Sequence, residues 1–150
     1  MSEIDTTPRI VFIDVDGTIL EHGSVIAPST VTAIRSARRA GHTVYLCTGR
    51  SAGDIHPAVR EIGFDGVISN GGAFAVRIDD DGTEQPIAAH LMPRALTDRM
   101  LGYFDDRGIH YFLQTDDAVY ASPGIGAAAD EFFRQRRDRH AEDLRALGLD

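Results

Sequence analysis

The sequence predicts an α/β fold, a parallel sheet followed along the chain by an α+β region. Three observations carry that prediction. Short apolar runs at residues 9–13, 43–47 and 66–69 alternate with segments of helical pattern, as strand–helix–strand crossovers do. Each run ends in a polar, glycine-bearing loop: Asp14-Val15-Asp16-Gly17-Thr18, Thr48-Gly49-Arg50 and Asn70-Gly71-Gly72. From Ala73 the pattern changes to hairpins and separate helices. Right-handed crossovers place the three loops at one edge of the sheet, the carboxyl edge at which such sheets hold ligands.

Residues 1–8 read as a short tail. Arg9 to Ile13 is a continuous apolar run, which suits a strand buried on both faces of a parallel sheet. Gly17 to Ala27 is polar and turn-rich, long enough for a small flap over the end of that strand. Pro28-Ser29-Thr30 opens a helix in which Val31, Ile34 and Ala37 form an apolar stripe. Arg35, Arg38 and Arg39 lie off that stripe, and Gly41 ends the helix. Thr43 to Cys47 is the second strand. Ser51 to Ile62 has a helical pattern that Pro57 bends or confines to two short pieces. Gly66 to Ser69 is the third strand.

Beyond it, Ala73–Ile78 and Glu84–His90 flank Asp79-Asp80-Asp81-Gly82, a hairpin with an Asp-Gly turn. Pro93 to Arg107 is an amphipathic helix carrying Leu96, Met100, Leu101 and Phe104. Ile109–Thr115 and Ala118–Ala121 are two further strands around Asp116-Asp117, and Gly126 to Leu147 is a long charged helix. A boundary near residues 72–78 divides the chain into a first module, 1–74, and a second, 75–150.

The formal net charge is −8, which argues against nucleic acid or an anionic membrane as a partner. No apolar stretch approaches the ~20 residues needed to span a bilayer, and the N-terminus lacks the pattern of a signal peptide. Cys47 is the only cysteine, so an intrachain disulfide is excluded and a reducing, cytoplasmic compartment is expected. All fifteen basic residues are Arg; the chain contains no Lys.

The chemistry starts at Asp14 and Asp16. Two carboxylates one residue apart need a cation between them, or one of their pKa values must rise. A hard cation with oxygen ligands, Mg²⁺ above all, meets that need and attracts phosphate against the global negative field. The pattern points to phosphoryl chemistry on an aspartate.

Taken together, DVDGT at 14–18, TGR at 48–50 and NGG at 70–72, followed by an α+β insert, resemble the haloacid dehalogenase (HAD) superfamily. Within it the chain is most similar to the Cof-like phosphatases with a C2-type cap. The motifs support the resemblance over residues 9–72, and only the cap-like pattern supports it over 73–150. It implies a Rossmannoid three-layer core, 1–74, with an incomplete parallel sheet, and an incomplete cap, 75–150.

The same resemblance implies roles. Asp14 would be the nucleophile that forms an aspartyl-phosphate. Asp16 would protonate the leaving alcohol and then activate water. Mg²⁺ would sit on Asp14 and the Asp16 carbonyl. Gly17 and Thr18 would help to cradle the phosphoryl group through backbone N–H groups. Thr48 would donate its hydroxyl to a phosphoryl oxygen, Gly49 would permit close approach, and Arg50 would offer a fork to phosphate or a substrate carboxylate. Asn70 and Gly71 would face the substrate, with Asn70 evenly balanced between that role and a turn.

The chain departs from the family in two respects. The lysine that stabilises the phosphorylated intermediate is missing, and so is the late Gly-Asp-x-x-Asn-Asp that completes the metal site. The sequence is therefore expected to be the N-terminal part of such an enzyme, with weak metal binding and with Ile10–Ile13 as an exposed sheet edge inviting self-association. The expected activity is a Mg²⁺-dependent phosphomonoesterase acting on a small phosphorylated metabolite. The alternative is a non-catalytic phosphate-binding or interaction module on the same fold. A phosphoacceptor receiver domain fits less well, because it needs an aspartate where Asn70 stands and a later lysine.

Other motifs carry less. Gly124-Ile125-Gly126 and the alanines after it mimic a dinucleotide fingerprint but lack the following acidic strand, and read as a helix-start turn. The six His residues show no metal-ligand spacing. The basic run at 134–140 reads as a solvated helix face.

Overall fold

The computed structural model describes residues 7–21 and 25–131. Strand β1 (Ile10–Asp14) is followed by a small antiparallel pair, β2 (Leu20–Glu21) and β3 (Val25–Ile26). Helix α1 (Pro28–Arg39) starts where the sequence places it, because Pro28 occupies the first turn, whose N–H groups need no helical partner. Gly41 ends it at φ +89°. Next come β4 (Thr43–Cys47), a 3₁₀ turn (Ala52–Asp54) and the short α2 (Pro57–Arg60). Pro57 has thus divided the second helical segment, as expected. β5 (Gly66–Ser69) and a 3₁₀ turn (Asn70–Gly72) complete the crossover units.

β1, β4 and β5 are parallel neighbours, in the order β1-β4-β5. The hairpin of β6 (Phe74–Ile78) and β7 (Glu84–Ala89) then adds to β5 in antiparallel fashion, so five strands form one mixed sheet. Its turn is the predicted one: Gly82 takes φ +84° and Thr83 N–H donates to Asp81 Oδ1 at 2.9 Å. The sequence reading puts this hairpin beyond a boundary near residues 72–78, in the second module; the structure hydrogen-bonds it into the main sheet.

Register explains the core. Ile13, Leu46, Val67 and Val76 stand opposite one another across four strands and point to the same face. They join one apolar cluster with Ile34 of α1, Val59 of α2, Ile55, Ile62 and Phe64. Each such side chain, fully buried, contributes about 1.5–3 kcal/mol. The next row, Phe12, Tyr45, Gly66 and Arg77, points the other way. There Phe12 remains 60% exposed and Ile10 62%. The expectation that β1 is buried on both faces is thus corrected, since only one face is covered, while β1 is the exposed edge strand that was expected. A continuous apolar run shows that a strand can be buried, but its covering elements lie far away in sequence.

Contacts divide the chain into two units, residues up to 91 with 114–118, and residues 92–113 with those from 119 onward. The second contains α3 (Arg94–Asp105), where Phe104 meets the ring of Tyr111 at 5.6 Å and Arg107 lies 3.7 Å over the ring of Tyr103. Residues 112–121 form the hairpin of β8 (Phe112–Gln114) and β9 (Val119–Ala121). Residues 125–131 are helical, starting directly after Gly124 as the helix-start reading expects. The rest of the predicted terminal helix, with its basic run, lies outside the described residues.

Candidate active site

At the carboxyl end of β1 the chain turns around Val15. That side chain is fully buried, and its carbonyl accepts the N–H groups of Thr18, Ile19 and Leu20 at 3.3, 3.0 and 2.9 Å. Ile19 and Leu20 are buried as well. Between these anchors Asp14, Asp16, Gly17 and Thr18 are exposed. The alternation DVD therefore has a mechanical meaning: the middle residue is tied into the core, and both carboxylates are carried outward. Gly17 adopts φ +81°, which glycine does without strain, and donates its N–H to Leu20 O at 3.0 Å. The N–H groups of Gly17 and Thr18 are thus engaged within the turn itself.

The loop after β4 is stitched to the loop after β5. Thr48 N–H donates to Ile68 O, Asn70 N–H to Arg50 O and Gly71 N–H to Thr48 O, at 2.9, 2.8 and 3.1 Å. Thr48 is buried, and its Oγ1 accepts the Arg50 N–H at 3.1 Å. Gly49 is exposed, with open space where a Cβ would stand. Asn70 sits at φ +53°, the one non-glycine in that region among the described residues, where Asn is better tolerated than most residues. Its amide donates to Thr115 O at 2.7 Å, so the side chain holds the 114–118 turn, which belongs to the same unit. Its Oδ1 is buried without a hydrogen-bond partner, as is the hydroxyl of Ser51.

Arg50 makes the contact that the sequence does not foretell. Its Nε and Nη2 form a fork on Asp16, at 3.0 Å to Oδ2 and 2.8 Å to Oδ1, while Nη1 donates to Asp54 O at 3.3 Å. The fork expected for a phosphate or substrate carboxylate thus rests on a carboxylate of the protein. The hydrogen bond from Arg50, aided by its charge and opposed by slight burial, holds Asp16 below the usual carboxylate range. Cys47 stands opposite Asp14 in the β1–β4 register. Partial burial, then the Asp14 charge, push its thiol upward, so it is a poor nucleophile.

Among the described residues no three Asp, Glu, His or Cys side chains gather as a metal cluster. What the β1 end offers a cation is the Asp14 carboxylate and the Asp16 main-chain carbonyl. Those oxygens fit a Mg²⁺ ion that keeps most of its waters or takes phosphate oxygens, rather than an all-protein cage. Three residues with positioning roles escaped the sequence analysis: Val15, Asp54 and Thr115. Val15 alone had a legible signal, an apolar residue between two acids at a strand end.

The comparisons agree with this architecture. The family described as haloacid dehalogenase-like hydrolase matches residues 11–146, and the chain belongs to it. Pyridoxal phosphate phosphatase YbhA of Escherichia coli (strain K12) is 29% identical over 120 residues, covering 78% of this chain and 43% of the relative. A phosphatase of Bacillus subtilis (strain 168), YwtE, whose named substrate is 5-amino-6-(5-phospho-D-ribitylamino)uracil, is 32% identical over 120 residues, covering 80% and 40%. Among solved structures, the HAD-superfamily protein BT1666 of Bacteroides thetaiotaomicron superposes with a TM-score of 0.70 at 22% identity. That match covers 88% of this chain and 49% of BT1666. The chain therefore spans about two-fifths of the length of these curated relatives.

Proposed function

We propose that this member of the haloacid dehalogenase-like hydrolases is a phosphomonoesterase acting through an aspartyl-phosphate on Asp14. The observation that carries the reading is the β1 turn: Val15 is locked in the core while Asp14 and Asp16 are both presented at the carboxyl edge. Asp14 attacks phosphorus, the bond to the leaving oxygen breaks, and a protonated Asp16 gives that oxygen its proton. Asp16, now a carboxylate, takes a proton from the water that attacks the phosphoryl group, releasing phosphate and restoring Asp14. The Arg50 fork favours the carboxylate form of Asp16, the form required in this second half, and opposes the protonated form that the first half uses. Thr48, beside Gly49, supports a phosphoryl oxygen through its hydroxyl, and the exposed Gly71 lines the approach, while the Asn70 side chain is taken up by Thr115. When bound, Mg²⁺ on Asp14 and Asp16 supplies neutralisation of the phosphoryl charge.

The substrate class is a small phosphorylated metabolite, in keeping with the substrates named for YbhA and YwtE. No helix among the described residues is long and apolar enough to cross a membrane, and the lone Cys47 supports a cytoplasmic setting. The exposed β1 edge, with Ile10 and Phe12 on its open face, supports pairing with β1 of a second copy. Sedimentation equilibrium tests that pairing, and a monomer throughout the concentration range removes it.

The catalytic reading is tested by release of p-nitrophenol from p-nitrophenyl phosphate with and without Mg²⁺. Turnover that needs Mg²⁺ and falls by about a thousandfold or more in Asp14→Asn is expected. The second reading, a non-catalytic phosphate-binding module, is favoured by the Arg50 fork, which occupies both carboxylate oxygens of Asp16. Folded protein that binds inorganic phosphate without turnover would establish it instead.

A further inference from the structure

A cavity of about 490 Å³ lies against β5, β6 and β7 and is lined by neither Asp14, Asp16, Thr48 nor Arg50. Its volume falls in the range of small-molecule sites, roughly 300–1,000 Å³. Val67, Phe74 and Val76 give it an apolar wall, and the small side chains of Ala88 and Ala89 leave it open. Ser69 also lines it, is 3% exposed, and takes part in no side-chain hydrogen bond among the described residues. Its hydroxyl is thus free to pair with a group arriving from the cavity.

The charges in the wall are unequal. Arg60 is engaged on both sides, with Nη1 3.4 Å from Glu84 Oε1 and Nη2 on the Ala52 carbonyl. Asp116 and Asp117 also line the cavity, and neither faces a cationic side chain among the described residues. Three contacts hold these acids in place, the first being the Thr115 hydroxyl, which donates to Asp117 Oδ1 at 2.8 Å. Asn70 grips the Thr115 carbonyl, and Gly53 has no side chain where the Asp117 carbonyl rests, so any Cβ there would collide with it. With Arg60 and Glu84 balancing one another, the cavity carries two uncompensated negative charges beside an apolar wall.

We propose that this cavity binds a small organic ammonium, its apolar body on Val67, Phe74 and Val76 and its charged nitrogen at Asp116 and Asp117. Ser69 supplies a hydrogen bond to the same molecule. The site repels carboxylates and phosphates, which makes its chemistry opposite to that of the phosphoryl site, and it stands whether or not the chain hydrolyses phosphate.

The test is an NMR titration of the isotope-labelled full chain with phenethylamine, and with 3-phenylpropionate as an anion of similar size. Phenethylamine is expected to give saturable shifts at Ser69, Phe74, Ala89 and Asp117, and 3-phenylpropionate none. Asp116→Asn combined with Asp117→Asn should weaken the amine by about tenfold or more. Ala89→Leu, which adds volume at the wall, should abolish its binding, and the unchanged amides of β1 and β4 would show that both variants are folded. Absence of amine binding, equal binding of the anion, or full affinity in the folded double variant would overturn the proposal.

Discussion

The two ends of the parallel sheet each carry an arginine fork on an aspartate, and the two forks serve different purposes. At the amino end, Arg38 Nη2 and Nε reach Asp65 Oδ1 at 2.7 and 3.0 Å. At the carboxyl end, Arg50 reaches Asp16 at 2.8 and 3.0 Å. The lengths match; the surroundings do not. Asp65 also accepts the Val44 N–H at 2.7 Å and returns its own N–H to Val44 O at 2.9 Å, so it joins α1, β4 and the start of β5. Burial pushes its carboxyl upward, but Arg38 and the Val44 N–H outweigh that and leave it below the usual range. Asp16 has the guanidinium alone, and its side chain is 51% exposed against 28% for Asp65. An ion pair tied to the main chain fixes the fold, whereas one open to water can be exchanged for a ligand.

The widest separation between the two ends is expected from Asp65→Ala set beside Arg50→Ala. Losing Asp65 orphans the Val44 N–H and should cost about 1–3 kcal/mol in urea unfolding. Losing Arg50 should cost under about 1 kcal/mol while altering hydrolysis; equal destabilisation would erase the distinction. Glycines sharpen the same contrast. A Cβ on Gly66, the first residue of β5, would strike the Tyr45 ring and the Val76 carbonyl, whereas one on Gly49 meets open space. Gly66→Ala should therefore cost about 1–3 kcal/mol and Gly49→Ala within about 0.5 kcal/mol, both measurable by thermal melts.

The smallest expected effect is on acid stability. Because the folded pKa of Asp65 lies below its unfolded value of about 3.9, its contribution is complete above that value. It is lost as pH falls through the folded pKa. Asp65→Asn should show a smaller drop in urea midpoint between pH 6 and pH 3 than the parent; an identical drop would place the acid sensitivity elsewhere.

Much of this is legible in the sequence alone. Pro28 announced the start of α1, Pro57 the break before α2, and Asp-Gly at 81–82 the β6–β7 turn. Asp14 and Asp16 marked the candidate site by their position at the end of an apolar run. The partners of these features were not legible. That β6 pairs with β5 depends on contacts formed after the hairpin closes. Nothing around Arg50 indicates a carboxylate 34 residues earlier. Nor does the sequence near Asn70 indicate a carbonyl 45 residues later.

By itself the sequence determined what is local: the helix starts, the turns, the alternation of faces, and the family to which DVDGT, TGR and NGG belong. These follow from backbone sterics and hydrogen bonds within a few residues, which the chain carries wherever it goes. The tertiary structure alone decided which face of β1 is covered, that Arg50 holds Asp16, and that Asn70 and Gly53 carry two acids to the wall of a cavity. Those outcomes depend on charges and surfaces that come together only when distant segments pack, and no local pattern records them.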